Sequence, residues 1–205
     1  MNLPNRLTLI RIGAAFIFMI FLFTNNLYAK YLALIFFTGA VLTDIYDGKL
    51  ARRRGIVTNF GKLMDPLADK ILVVSAFVSF VGLREIYIPA WTVIIIISRE
   101  FAITGLRLLA ASQGKILAAE KGGKHKTVSQ MVAIFTILIF ICLRGTAIRF
   151  YGFVPQVIDE WFKPFLLYLM YITVVLTVIS GTLYLYRHRY LFSEENIEGS
   201  EEMKK

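Results

Sequence analysis

Charge is scarce in this chain, and negative charge scarcest. Of its 205 residues only 18% are Asp, Glu, Lys or Arg, and the 14 acids face 23 bases. Cysteine occurs once, as Cys142 inside an apolar run. That excludes a disulfide framework and a thiolate metal site, and leaves Cys142 as a small apolar filler. There is no low-complexity tract, no linker long enough to separate a second domain, and no stretch polar enough for a soluble domain. Apolar residues are what the chain has in quantity: 57% of it is hydrophobic, with 17 Phe.

The apolar residues fall in six runs, near 10–29, 31–47, 66–84, 86–111, 128–147 and 164–186. About 20 residues at 1.5 Å rise cross the hydrocarbon layer as a helix, so each run is a candidate span. The third is shortened by Asp65, Asp69 and Lys70. The expected fold is an all-α membrane protein with six transmembrane helices in one domain over 1–190, followed by a polar cytoplasmic tail over 191–205. In the opening MNLPNRLTLIRI, apolar residues alternate with Arg6, Thr8 and Arg11. This suits a short interfacial helix over 1–9 lying along the headgroups, or equally a frayed end with snorkelling arginines. The first run has the look of a signal peptide, but five more runs follow and no small-x-small cleavage site does, so it reads as a retained anchor.

Lys and Arg set the orientation. The N-terminal segment, the second loop, the fourth loop and the C-terminus together hold sixteen of the 23, whereas the opposite side holds Lys30, Arg84, Arg144, Arg149 and Lys163. Both termini are therefore expected on the cytoplasmic side. The net charge of +9 suits an anionic leaflet. It flanks apolar runs rather than forming one basic face, so nucleic acid is not an expected partner.

Against this background four aspartates stand close together in TDIYDGKLARRRGIVTNFGKLMDPLADK. Asp44 and Asp47 are one helical turn apart at the end of the second run; Asp65 and Asp69 are i and i+4 at the start of the third. Carboxylates near lipid are costly and repel one another, so something positive belongs among them. Ion pairs with Lys49, Arg52 and Lys70 are one answer. The other is a hard divalent cation, Mg²⁺ or Mn²⁺, held by oxygen ligands from two neighbouring helices. Gly48, Ala51 and Gly61 leave room beside the acids, and Arg52 offers a fork for phosphate. This chemistry suggests a diphosphate-containing substrate.

The array Asp44-x-x-Asp47-Gly48-x-x-Ala51-Arg52, eight residues, then Gly61-x-x-x-Asp65-x-x-x-Asp69 resembles the signature of the CDP-alcohol phosphotransferase family, matching it at all eight of its fixed positions. The resemblance implies a six-helix fold, a homodimer, and an active site open to the cytoplasm. It implies two metal ions held by Asp44, Asp47 and Asp65, with Asp69 completing the site and acting as general base. Gly48, Ala51 and Gly61 would line the cytidine pocket, with Arg52 near the phosphates. NLPNRLTLIRI is similar to the family's N-terminal segment, which would put Asn5, Thr8 and Arg11 near CDP.

The fourth run reads IIIISREFAITGLRLLAASQG, in which Arg99, Glu100 and Arg107 interrupt an apolar helix. Two arginines close to two turns apart invite an anion, and Lys124 and Lys126 of KGGKHKT stand on the same side. A phosphate-bearing acceptor satisfies such a group; a structural bridge between Glu100 and one arginine is the competing explanation. REFAITGLR with GKHKT resembles the phosphatidylglycerophosphate synthase branch, which implies CDP-diacylglycerol and sn-glycerol 3-phosphate as substrates, phosphatidylglycerophosphate and CMP as products, and a bacterial cytoplasmic membrane as the location. A cardiolipin synthase or an inositol-phosphate-using relative would share the aspartates and differ in the acceptor pocket. A divalent-cation transporter is the rival from another class, and it predicts acids on several spans near the midplane together with inverted repeats.

Overall fold

The computed structural model describes residues 3–54, 59–112 and 122–189, with side chains described for 9–43, 70–111, 126–156 and 158–189. Among the described residues every regular element is an α-helix: α1 (Leu3–Phe23), α2 (Leu27–Arg54), α3 (Asn59–Val81), α4 (Ala90–Ser112), α5 (Gly122–Tyr151) and α6 (Gln156–Arg187). The tail over 191–205 lies outside the described residues.

Helix ends follow local chemistry. The run expected over 10–29 is broken after Phe23, because Asn26 begins a new helix: its side-chain oxygen accepts the Tyr28 N–H at 2.9 Å, which is an N-cap bond. Upstream, α1 runs unbroken from Leu3, so the segment expected as a separate interfacial helix is continuous with the first rod. Pro4 does not prevent this, since in a first turn its missing N–H has no intrahelical partner to lose. At the end of α5, Gly152 takes φ +75° and its N–H bonds the Ile148 carbonyl at 3.0 Å, the left-handed stop that favours glycine. Pro155 then leads into α6.

The helices close into a ring. α1 packs on α2 and α3, α2 on α5, α5 on α6, α6 on α4, and α4 on α3. At the centre sit Phe18, Phe37, Phe77, Phe80, Ile134, Ile137 and Ile141, all fully buried. Ala33, Ala76 and Ala133 are buried completely too, and small side chains of this kind let helix backbones approach.

One end of the ring is pinned by polar pairs. Lys30 of α2 bonds Glu85 in the α3–α4 connection, and Tyr31 Oη lies 2.9 Å from Thr146 Oγ1 of α5. Asp159 of α6 accepts from Arg144 at 3.1 Å and from Lys163 at 2.7 Å. The connections α1–α2, α3–α4 and α5–α6 therefore share one end. Tyr28, Tyr87, Phe150, Tyr151 and Trp161 stand out there, 70–77% exposed, as aromatics do at a membrane interface.

Two helical stretches, Lys126–Tyr151 and Ile158–Arg187, are long and apolar enough to cross a membrane; Leu9–Phe23, Leu27–Thr43 and Lys70–Val81 are shorter apolar stretches among the described residues. In α4, Arg99, Glu100 and Arg107 interrupt the apolar run. Exposed Phe16, Ile20, Ile94, Phe165 and Val175 give the outer faces the character of a lipid-facing surface.

Candidate active site

At the end of the ring opposite the aromatic one, charges converge on Glu100. This carboxylate belongs to α4 and is buried. It pairs with Lys126 of α5, with Arg99 Nη1 at 3.4 Å, and with Lys70 Nζ of α3 at 3.3 Å; Gln130 Nε2 adds a bond at 3.3 Å. Lys70 also donates to the Glu100 backbone carbonyl at 2.6 Å and to Thr104 Oγ1. One acid thus ties together three helices and three cations. Charge bookkeeping explains why it is there: Lys70, Arg99 and Lys126 would repel one another at this separation without a counter-ion. A cavity of about 40 Å³ lined by Lys70, Glu100, Lys126, Thr127 and Gln130 lies beside the group.

Arg99 and Arg107 both lean on α6. Arg99 Nη2 donates to Ser180 Oγ at 3.0 Å. Arg107 Nε donates to Tyr184 Oη at 3.3 Å, and its guanidinium lies 5.5 Å from the centre of the same ring. The structural bridge weighed for Glu100 is therefore real for Arg99, and it coexists with a cluster of positive groups.

The aspartates stand at this same end. Asp69 immediately precedes Lys70 on α3, and Asp65 is one turn earlier; Asp44 directly follows Thr43 on α2, with Asp47 a turn further. Their side chains, and those of Gly48, Ala51, Arg52, Gly61, Lys124, Asn5 and Thr8, lie outside the described residues. Among the described residues no three acids, histidines or cysteines gather so as to hold a metal ion. Arg11 is described: it is buried, and with Ala14, Phe36, Gly39 and Thr43 it lines a cavity of about 310 Å³ between α1 and α2.

Residues 1–183 match the family model for CDP-alcohol phosphatidyltransferases. The chain belongs to that family. Among CDP-alcohol phosphatidyltransferase relatives, it is 45% identical over 150 residues to a Bacillus subtilis protein named CDP-diacylglycerol–glycerol-3-phosphate 3-phosphatidyltransferase, covering 67% of this chain and 77% of that one. A Rickettsia typhi protein of the same name is 33% identical over 183 residues, 89% of this chain and 94% of its own. A Mycobacterium tuberculosis protein named probable phosphatidylglycerophosphate synthase is 40% identical over 136 residues, 65% and 64% of the two chains.

Sequence reasoning grouped Arg99, Arg107, Lys124 and Lys126; Arg99 and Lys126 meet at Glu100, Arg107 rests on Tyr184, and the Lys124 side chain lies outside the described residues. It missed Lys70 as an anchor to α4 and gave α6 no role at all. The signal present on α6 was Ser180-Gly181 followed by Tyr184, a small polar break in an otherwise apolar helix.

Proposed function

We propose that this protein transfers the phosphatidyl group of CDP-diacylglycerol to sn-glycerol 3-phosphate, yielding phosphatidylglycerophosphate and CMP. The observation that carries the reading is the contact of Lys70 with Glu100 and Thr104. It brings the aspartate-bearing helix α3 against the arginine-bearing helix α4, so a diphosphate and a phosphate-bearing acceptor have adjacent places. The names of the B. subtilis and R. typhi relatives support the same pair of substrates.

The donor set suits two Mg²⁺ or Mn²⁺ ions. It is all carboxylate, comes in i,i+3 and i,i+4 pairs, and lies on two helices that touch each other and share α1 as a neighbour. Asp44, Asp47, Asp65 and Asp69 would hold them, and bound ions would withdraw charge from the diphosphate and stabilise departing CMP. Gly48, Ala51 and Gly61 leave space for cytidine, and Arg52, with Asn5, Thr8 and Arg11, faces the nucleotide. Arg99, Arg107, Lys124 and Lys126 receive the acceptor's phosphate. In the net reaction the acceptor hydroxyl bonds to the phosphorus that carries diacylglycerol, the bond to CMP breaks, and the hydroxyl proton passes to Asp69.

The six apolar runs support six spans, the lysine and arginine distribution supports both termini and the site on the cytoplasmic side, and the family resemblance implies a bacterial cytoplasmic membrane. Lipid tails then enter sideways between helices, and two copies form a homodimer as the family resemblance implies.

The test is CMP release by purified protein in detergent with CDP-diacylglycerol and Mg²⁺ or Mn²⁺. Glycerol 3-phosphate is expected to support release, whereas serine, inositol phosphate and phosphatidylglycerol are not. Asp69→Asn should lower the rate by about 100-fold or more, the scale of a lost general base. Release with a different acceptor only would overturn the choice of substrate.

A further inference from the structure

Helix α6 carries none of the residues so far given a chemical role, yet both arginines of the proposed anion site rest on it. Ser180 and Tyr184 are i and i+4, so they lie on one face, and each accepts a hydrogen bond from a different arginine. Between them, Gly181 is buried against the stem of Arg99: a methyl group added at Gly181 would lie 2.9 Å from Arg99 Cγ and 3.4 Å from its Nε. The clash falls on the root of the side chain, which cannot swing away as its tip can. Tyr184 is buried in a small cluster with Ile103 and Leu106 of α4, so its ring is fixed from behind.

We propose that Ser180, Gly181 and Tyr184 are positioning residues that set the direction of Arg99 and Arg107 and thereby the affinity for the phosphate of the acceptor. This rests on the acceptor reading above. The physical argument is that a long arginine loses much rotamer freedom when it grips an anion. An arginine already seated along α6 has lost that freedom before the anion arrives, so less is lost on binding. Glu100 supplies counter-charge from α4; α6 supplies direction.

The experiment is steady-state CMP release by Gly181→Ala, Tyr184→Phe and Ser180→Ala, with each substrate varied in turn and thermal unfolding recorded alongside. Alanine is the better helix former, so Gly181→Ala carries no intrinsic helix penalty. Expected are a KM for glycerol 3-phosphate raised about fivefold or more in Gly181→Ala and roughly threefold in Tyr184→Phe and Ser180→Ala, the scale of one hydrogen bond. The KM for CDP-diacylglycerol and kcat should stay within about twofold. Gly105→Ala is the matched control: it adds the same methyl group to α4 where nothing lies within 4 Å, and it should change neither KM. An unchanged KM for the acceptor in Gly181→Ala and Tyr184→Phe would overturn the proposal, as would equal losses in every parameter together with a lowered unfolding temperature. If the wild type uses another phosphate-bearing acceptor, the substrate reading fails, but the same KM split measured on that acceptor still decides the role of α6. An acceptor without phosphate would overturn both.

Discussion

At the scale of single residues, Glu100 is the group on which the site depends most. A carboxylate among Lys70, Arg99 and Lys126 carries little stabilisation by itself, since burying ions is expensive. Its removal is another matter, because three cations are then left close together without its charge between them. Breaking a buried pair costs on the order of 3–5 kcal/mol, and a chain of this size loses roughly 2–4 °C per kcal/mol, so Glu100→Gln is expected to unfold roughly 6–20 °C lower. Thermal unfolding in detergent reads this directly, and a shift of less than about 2 °C would show that the cations do not need their acid. The identity of the charged residues was legible in the sequence because charge is so rare there that each instance stands out. The Arg99–Glu100 bridge could be read there too, but the Lys70 partner could not, since Lys70 and Glu100 are thirty positions apart and no periodicity links them.

Among the helices, the two ends of the ring do different work. At the aromatic end, Lys30 bonds Glu85, Tyr31 meets Thr146, and Gly145 leaves only 2.9 Å between an added methyl group and Leu27 Cδ1. These contacts fasten α2 to α5 and to the α3–α4 connection, far from the aspartates. Lys30→Met alone is therefore expected to destabilise the fold by leaving Glu85 without its partner, while Lys30→Met with Glu85→Leu should recover most of the loss. Specific activity per folded molecule should stay within about twofold in both variants, measured as CMP release after removal of aggregated protein. A large fall in activity with stability intact would mean that this end also shapes the site. Helix identity could be read from apolar run length, but helix ends could not: Asn26 and Gly152 are local signals inside apolar surroundings, and a composition window averages them away.

For the whole molecule, the placement of Tyr87 and Arg189 at opposite ends of the ring makes orientation testable. Cys142 is buried and is the single cysteine, so Cys142→Ala gives a background free of thiols. On it, Tyr87→Cys should react with an impermeant maleimide in intact cells, and Arg189→Cys only after the membrane is opened. The reverse pattern would invert the proposed topology. The sequence carried the all-helical class, the six long helices seen among the described residues and the family, because run length and eight fixed residues are local properties. The ring order was not legible, since it depends on which faces interlock. In that order the arginine-bearing α4 is closed off by α6, which follows it in the chain by way of α5. A growing chain therefore makes its aspartate-bearing helices early, and the arginines of α4 gain their seat on α6 only two helices later. Synthesis itself thus acts as a timer: until α6 has been made, Ser180 and Tyr184 are not there to hold Arg99 and Arg107.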